Sequence, residues 1–453
     1  MKEMELYVHI PFCVRKCEYC DFLSFAAGRE IQARYLKALE AESAGGSDAL
    51  RDYEVSTVFI GGGTPSLLEA DGIERILEGL RRNFVIREGA EISLEANPGT
   101  VSGEKLKRYR ESGVNRISFG CQSTVNEELA KLGRIHTFEE FVVSWELARE
   151  AGFENINVDL MSGLPGQDAG SWEMSLRVIA GLGPEHISAY SLILEEGTPF
   201  YEKKDQLGLP DEDSERLMYE STHAILAEYG YRQYEISNYA KAGYECRHNL
   251  GYWTGTEYWG LGLGASSLLG NIRFRNTGDM EYYLESSGRP DLIQEETERL
   301  DETDRQAEFM ILGLRLTEGV SEREFEERFG IPLRQVYGGQ VEKYRQAGLL
   351  KQEKVQKPKG RGVRTVKTRA SAPVQQEVDL RGMTVEEGIM ELDNFIDSAL
   401  LSGITLLTVI HGKGTGVLRK AVQERLKRHP SVKSYRLGNY GEGEAGVTIV
   451  ELK

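Results

Sequence analysis

From residue 5 to about residue 195, short β-rich runs alternate with segments of helical period, and this constrains the fold of the 453-residue chain more than any other feature. Glu5–Ile10, Ser56–Gly61, Glu91–Glu95, Asn115–Phe119, Asn155–Leu160 and His186–Leu192 read as strands. Amphipathic segments such as Arg29–Ala44, Asp71–Asn83 and Ser102–Ser112 separate them. Strands alternating with helices form right-handed βαβ units and a parallel sheet. Six units are too few to close an eight-stranded barrel, so the expected α/β architecture is an open, partial six-stranded (β/α) barrel. In barrels of this type chemistry gathers at the C-terminal ends of the strands.

Beyond residue 196 the pattern loosens into a Tyr-, Gly- and Asn-rich stretch, most marked from Tyr231 to Asn276, and residues 302–350 read as a small helical module. The run Lys351–Arg369 carries eight basic residues, one acidic residue and scattered Gly and Pro, the composition of a solvated linker. A second α/β unit follows: strand Val378–Leu380, helix Val385–Leu401, strand Leu406–Ile410, helix Val417–Arg428, then strands near Val432–Leu437 and Val447–Glu451. The expected division is a barrel over 1–230, a loop region with the helical module over 231–350, a linker over 351–376 and a C-terminal domain over 377–453.

The chain is 40% hydrophobic and 28% charged, a soluble globular mix. No stretch approaches the roughly 20 apolar residues that span a bilayer. The N-terminus reaches Glu3 and Glu5 at once and lacks the basic-then-apolar pattern of a secretory signal, so the expected location is the cytoplasm. The net charge of −17 is unevenly spread: residues 1–350 balance at −23 and residues 351–453 at +6. Only the second part has an electrostatic reason to approach nucleic acid.

Three of the five cysteines crowd into Cys13–Cys20. Clustered thiols in a reducing compartment point to metal ligation or redox chemistry rather than to a disulfide framework. Cys13, Cys17 and Cys20 have the spacing C-x-x-x-C-x-x-C in a loop directly after the first strand. Thiolates are the usual ligands of a 4Fe–4S cluster, and four normally complete the set. Three leave one iron open, to which S-adenosylmethionine (SAM) can bind through its amino and carboxylate groups. The rival is a zinc site, which wants a fourth nearby Cys or His.

Further polar positions fall on the same rim. Gly61-Gly62-Gly63-Thr64-Pro65 ends the second strand, Glu95 the third, Gln122 follows the fourth and Asp159 lies near the end of the fifth. Glycines there let backbone come close to a ligand, while the carboxylates and amide suit ribose hydroxyls and an ammonium group. Singly, each reads equally well as a turn or a helix cap.

With these residues in hand, the chain resembles the radical SAM proteins of the oxygen-independent coproporphyrinogen oxidase group, and within it the heme chaperone branch known as HemW. The matching runs are Tyr7–Phe22, Gly61–Leu67, Arg116–Ser123, Asp159–Gln167, Tyr234–Tyr239 and Cys246–Ala265, spread over residues 1–350. The resemblance implies that Tyr7, Tyr19, Gly62, Gly63, Thr64, Glu95, Gln122, Arg134 and Asp159 surround the cluster and SAM. The oxidases of the group carry a fourth Cys two positions after the third, where this chain has Phe22. The chaperone branch shows an H-N-x-x-Y-W signature, present as His248, Asn249, Tyr252 and Trp253. From spacing alone His248 is a hydrogen-bonding core residue under an aromatic loop. The resemblance makes it a ligand for heme iron, with Tyr252 and Trp253 against the porphyrin and Cys246 as an alternative soft ligand. No C-x-x-C-H attachment motif is present, so heme is expected to bind non-covalently. The implied function is heme binding and delivery to apo-hemoproteins such as respiratory cytochromes; the rival is coproporphyrinogen oxidation.

Residues 377–453 resemble a second family, the small MutS-related (Smr) domain, through Asp379-Leu380-Arg381-Gly382, His411-Gly412-Lys413-Gly414-Thr415-Gly416 and the closing run Gly446–Leu452. Smr domains are associated with nicking DNA or cleaving RNA, which implies Asp379, Arg381 and His411 at a catalytic site. Gly412–Gly416 opens a helix, whose N-terminus suits phosphate. Lys413, Arg419 and Lys420 add backbone contacts to DNA or RNA. A nucleic-acid-cleaving protein acting through this domain is the third function in play.

Overall fold

The computed structural model describes residues 1–352 and, beyond them, 377–381, 383–385, 388–389, 391–392, 395–396, 406–411, 417–429, 431–437 and 447–452. Met1–Lys351 form one compact unit and Gln352–Lys453 a second. In the first, β1 (Lys2–Ile10), β2 (Tyr53–Gly62), β3 (Ile86–Ala96), β4 (Arg116–Gln122), β5 (Ile156–Ser162) and β6 (His186–Ser191) lie parallel in sequence order. Helices Arg29–Gly46, Ala70–Asn83, Gly103–Glu111, Phe138–Glu150 and Ala169–Leu182 occupy the connections.

The sheet stays open and is wider than six strands. At one edge β7 (Arg232–Gln233) and β8 (Asn238–Ala240) form a hairpin, with β8 antiparallel to β6. At the other, β9 (Glu257–Leu261) runs parallel to β1 and continues antiparallel through β10 (Ser266–Leu269), β11 (Ile272–Asn276) and β12 (Gln294–Arg299). Helices Glu302–Gly313, Glu322–Phe329 and Leu333–Gln346 follow.

A period of two on the barrel strands decides what each face holds. Met4, Leu6, Val8 and Ile10 of β1, with Val58, Ile60, Ile92, Leu94, Ile117, Phe119, Ile156 and Val158, are buried in one apolar core with residues of the surrounding helices. The alternate positions are buried too, yet polar: Glu5, Thr57, Glu91, Ser93, Arg116, Ser118, Asn157 and His186. Several of them satisfy one another, while Glu5 Oε2 and Arg116 Nε are left without a hydrogen-bond partner. His186 Nδ1 lies 2.6 Å from Asn157 Oδ1, and Asn157 Nδ2 donates to Ser118 Oγ and Asp159 Oδ1, each at 2.7 Å. The interior is therefore a hydrogen-bonded polar layer, where a closed barrel stacks branched apolar side chains.

In the second unit, Glu377–Asp379 is parallel to Leu406–Ile410, which pairs antiparallel with Val447–Leu452, and that strand with Val432–Leu437. Leu380, Leu407, Val409, Val422, Leu426 and Val450 form its core. Most of the expected linker Lys351–Arg369, much of the expected helix Val385–Leu401 and the Gly412–Gly416 turn lie outside the described residues.

Candidate cofactor site

The cysteine loop leaves β1 at Ile10 and is fastened along its length. Phe25 N–H donates to Pro11 O and Cys13 N–H to Phe25 O, pinning the two ends of the loop together. His9 ties in the same segment: its Nδ1 meets Tyr7 OH at 3.0 Å and its Nε2 meets Leu23 O at 2.8 Å. On the far side Arg15 Nη2 donates to Gly133 O at 2.6 Å, and Glu18 N–H to Leu132 O.

The glycine run at the end of β2 serves this loop as well as the cavity. Gly62 has φ +112°, and a Cβ there would sit 2.5 Å from the His9 ring. At Gly63 it would meet Phe12 O at 2.7 Å. Two bonds, Gly63 N–H to Ile10 O and Thr64 N–H to Phe12 O, clamp loop and strand together. Thr64 Oγ1 then lies 3.6 Å from Cys13 Sγ. Only residues without side chains permit that approach.

Cys13, Cys17, Cys20, Tyr19, Gly62, Gly63, Thr64, Glu95, Gln122, Arg134 and Asp159 line one cavity of about 420 Å³ at the C-terminal ends of the strands. Ten of these eleven come from four different strand ends and the cysteine loop; Arg134 is delivered by the turn after the short helix Asn126–Lys131. Tyr7, expected beside them, does not line the cavity: it lies beneath, against His9 and stacked on Phe59 at 6.4 Å.

Electrostatics at this mouth favour a polar, partly anionic ligand. Arg134 donates to Gly120 O at 2.6 Å and Asn97 Oδ1 at 2.8 Å and reaches Cys17 Sγ at 3.8 Å, while its buried Nε has no partner. A guanidinium beside the Cys17 thiol at the cavity wall places a fixed positive charge where an anionic group of a ligand would be favoured. Glu95 accepts from Gly62 N–H at 3.0 Å, and burial, then the neighbouring Asp159, push its pKa up to about 8. Burial also raises the Cys20 thiol. Gln122 sits at φ +69° at a bulge in β4 and accepts from Tyr190 OH at 2.8 Å. Backbone strain of this kind in a non-glycine residue concentrates at ligand sites. Among the described residues, no group of three His, Cys, Asp or Glu side chains is placed to hold a metal ion. Three thiols on one loop at this cavity fit a cluster that offers each thiolate its own iron, whereas zinc wants a fourth Cys or His and none lines the cavity with them.

Tyr190 and Asn97 belong to this cavity and went unremarked in the sequence. Asn97 Nδ2 donates to Thr64 Oγ1 at 2.8 Å while its Oδ1 accepts from Arg134. Its signal was its place two residues beyond Glu95; Tyr190 had only its place near the end of a strand.

The H-N-x-x-Y-W segment lies elsewhere. Helix Arg247–Thr254 is seated under the opposite, N-terminal end of the barrel, where His248 N–H and Arg247 N–H donate to the Glu91 carboxylate at 3.2 and 3.1 Å. Glu91 precedes Glu95 by four strand residues, about 13 Å at 3.3 Å each. His248 is 1% exposed. Its Nδ1 is 2.7 Å from Thr57 Oγ1, its Nε2 is 3.0 Å from Tyr252 OH, and its ring stacks on Phe59 at 5.1 Å. Burial, then Arg116, lower its pKa to about 3, so it is neutral. Both nitrogens are committed, the arrangement of the hydrogen-bonding core residue that spacing alone describes; iron ligation here requires one of these bonds to be given up. Cys246 is likewise buried, its thiol 3.6 Å from Glu91 Oε1. Asn249 is half-buried. Tyr252 and Trp253 instead line a second cavity of about 210 Å³, away from the cysteines.

In the C-terminal unit Arg381 is exposed, whereas His411 is buried with Nε2 2.8 Å from Thr448 Oγ1. Asp379 ends its strand, but its side chain, like Lys413, lies outside the described residues.

Comparison with known proteins matches this arrangement. The Radical SAM superfamily model matches residues 7–179, the HemN C-terminal domain model residues 300–356 and the Smr domain model residues 378–453. Heme chaperone HemW of Bacillus subtilis (strain 168) is 39% identical over 349 residues, covering 76% of this chain and 92% of the relative. The Escherichia coli (strain K12) heme chaperone HemW is 43% identical over 263 residues, 58% of this chain and 69% of the relative. Among solved structures, coproporphyrinogen III oxidase (HemN) of Escherichia coli superposes with a TM-score of 0.69 at 24% identity, over 77% of this chain and 83% of that one, a likeness of fold. With the cysteine loop, the rim cavity and the H-N-x-x-Y-W helix all inside the shared region, the chain belongs to the HemW family of radical SAM proteins and carries a Smr domain at its C-terminal end.

Proposed function

We propose that the first unit binds heme and passes it to apo-hemoproteins, with a 4Fe–4S cluster on Cys13, Cys17 and Cys20 and SAM in the adjoining cavity. The observation that carries this reading is the H-N-x-x-Y-W helix seated at the barrel end opposite the cysteines. Tetrapyrrole held there is separated from the cluster by the length of the strands. An oxidase needs its porphyrinogen beside the cysteines, within reach of a radical. Phe22, 61% exposed on the rim where the oxidases of the resembling group have a fourth Cys, supports the same choice.

When bound, cluster and SAM supply one-electron and radical chemistry. The chain's part is to hold them. Gly62, Gly63 and Thr64 keep the cysteine loop in place, Arg134 pairs with a carboxylate, and Glu95, Gln122 and Asp159 take ammonium and hydroxyl groups. An absorption titration of the anaerobically reconstituted chain with hemin tests the reading. One-to-one saturable binding with a Soret shift is expected; no binding to protein with its cluster intact overturns it and points to coproporphyrinogen turnover.

For residues 377–453 the proposal is contact with DNA or RNA, through a surface that includes Arg381, Arg419 and Lys420, with Asp379 and His411 as the candidate cleavage site. The +6 balance of residues 351–453 supports it. Nicking by the full chain, lost on Asp379→Ala, would support cleavage; binding without nicking would leave a nucleic-acid anchor.

A further inference from the structure

The second cavity, beside the H-N-x-x-Y-W helix, has a chemistry of its own. Its walls include Tyr252, Trp253, Tyr258 and Phe309, a surface for a flat apolar ring system. Three guanidiniums reach it, from Arg273 on β11, Arg305 on helix Glu302–Gly313 and Arg328 on helix Glu322–Phe329, against one carboxylate, Glu308. Glu308 is already spent on Arg273, at 2.6 Å. Arg328 donates to the backbone oxygens Thr254 O and Gly255 O at 3.2 Å each and packs over the Phe309 and Phe329 rings. Arg305, half-buried, has no carboxylate partner among the described residues; its guanidinium lies 5.9 Å from the Phe329 ring. The two cations stand against the same Phe329 ring, at 5.9 and 5.8 Å, and burial, then the like charge of Arg305, lowers the pKa of Arg328.

Two cations without carboxylate partners between aromatic walls call for carboxylates on a planar ring. The cavity, about 210 Å³, has half the volume of the one at the cysteines, which suits one edge of a tetrapyrrole. Resting on the heme reading above, we infer that this cavity receives the propionate edge of the tetrapyrrole, with Arg305 and Arg328 pairing to its carboxylates. The grip is then on the porphyrin margin and not on the iron through His248, which suits cargo that must be released.

The test is a titration of the full chain, cluster reconstituted, with hemin and with hemin dimethyl ester, whose propionates carry no charge, on wild type, Arg305→Gln and Arg305→Glu. Loss of one charge-assisted pair should weaken hemin about ten-fold in Arg305→Gln, and more in Arg305→Glu. The ester should bind wild type no better than hemin binds Arg305→Gln, and should be indifferent to both substitutions. Equal affinity of ester and hemin for wild type, or hemin binding unchanged in Arg305→Glu, overturns the propionate docking while leaving heme binding intact. Hemin that fails to bind wild type removes the heme reading itself, and this inference with it. The ester arm decides the matter even where a substitution disturbs folding.

Discussion

Gly251, one of the two unnamed positions in the H-N-x-x-Y-W signature, is where the helix presses hardest on the barrel. A Cβ there would fall inside the Glu5 carboxyl group. Glu5 is 2% exposed, so its carboxyl cannot move aside into solvent. Gly251→Ala is therefore an overpacking substitution, which costs about 1–3 kcal/mol. At roughly 2 °C per kcal/mol for a unit of this size, the thermal midpoint of the first unit should fall by about 2–6 °C. The assay is far-UV unfolding of the full chain, with a chain ending at Lys351 to identify the transition. The decisive comparison is a double-mutant cycle. In a Glu5→Ala background the methyl has room, and Gly251→Ala should cost less than about 0.5 kcal/mol, giving a coupling close to the whole effect. Equal costs in both backgrounds would refute the claim that the helix is seated on Glu5.

Three other outcomes follow. Gly63→Ala places a methyl against Phe12 O and Phe12 N, so it should push the cysteine loop away from β2 and lower the reconstituted cluster absorbance per chain, with the fold retained; unchanged iron content would contradict it. Burial, then Glu91, raise the pKa of Glu5 to about 9, so the folded state favours its protonated form and the stability this gives is lost as pH climbs from the ordinary 4.5 through 9. Wild type should accordingly lose stability relative to Glu5→Gln by up to about 1.4 kcal/mol per pH unit across that window, and parallel pH curves would argue against a buried neutral carboxyl. If residues 351–453 bind nucleic acid through phosphates, the affinity of the full chain for duplex DNA should fall steeply with salt, by about 0.9 log per log for each phosphate contacted, and should vanish when residues 352–453 are removed; a salt-independent affinity would contradict this.

The barrel strands were readable because each is buried on both faces with a strict period of two. The expected Glu5–Ile10, Ser56–Gly61 and His186–Leu192 differ from β1, β2 and β6 mainly at their ends. Of the outer strands, two were too short to read and two carried a legible signal. Arg232–Gln233 and Asn238–Ala240 are too short to carry a period. Ser266–Leu269 and Ile272–Asn276 did carry a signal, Gly270-Asn271 between two apolar runs, the mark of a two-residue hairpin, and Gly270 indeed has φ +62°. The rim was readable wherever a motif ended a strand, as at Gly62, Glu95 and Asp159. Spacing could not say that the glycines serve the cysteine loop, because Phe12 and His9 come from another strand's end. Nor could it place His248 against Thr57 and Glu91, contacts between residues 157 or more positions apart.

The central claim is that heme and cluster occupy opposite ends of one partial barrel. Hemin titration of a chain carrying Cys13→Ser, Cys17→Ser and Cys20→Ser tests it most directly. With no cluster formed, one-to-one hemin binding should persist within about two-fold of wild type, since no cysteine lines the Tyr252–Trp253 cavity. Loss of hemin binding together with the cluster, in a chain that still folds, would put heme at the cysteine end and contradict the account.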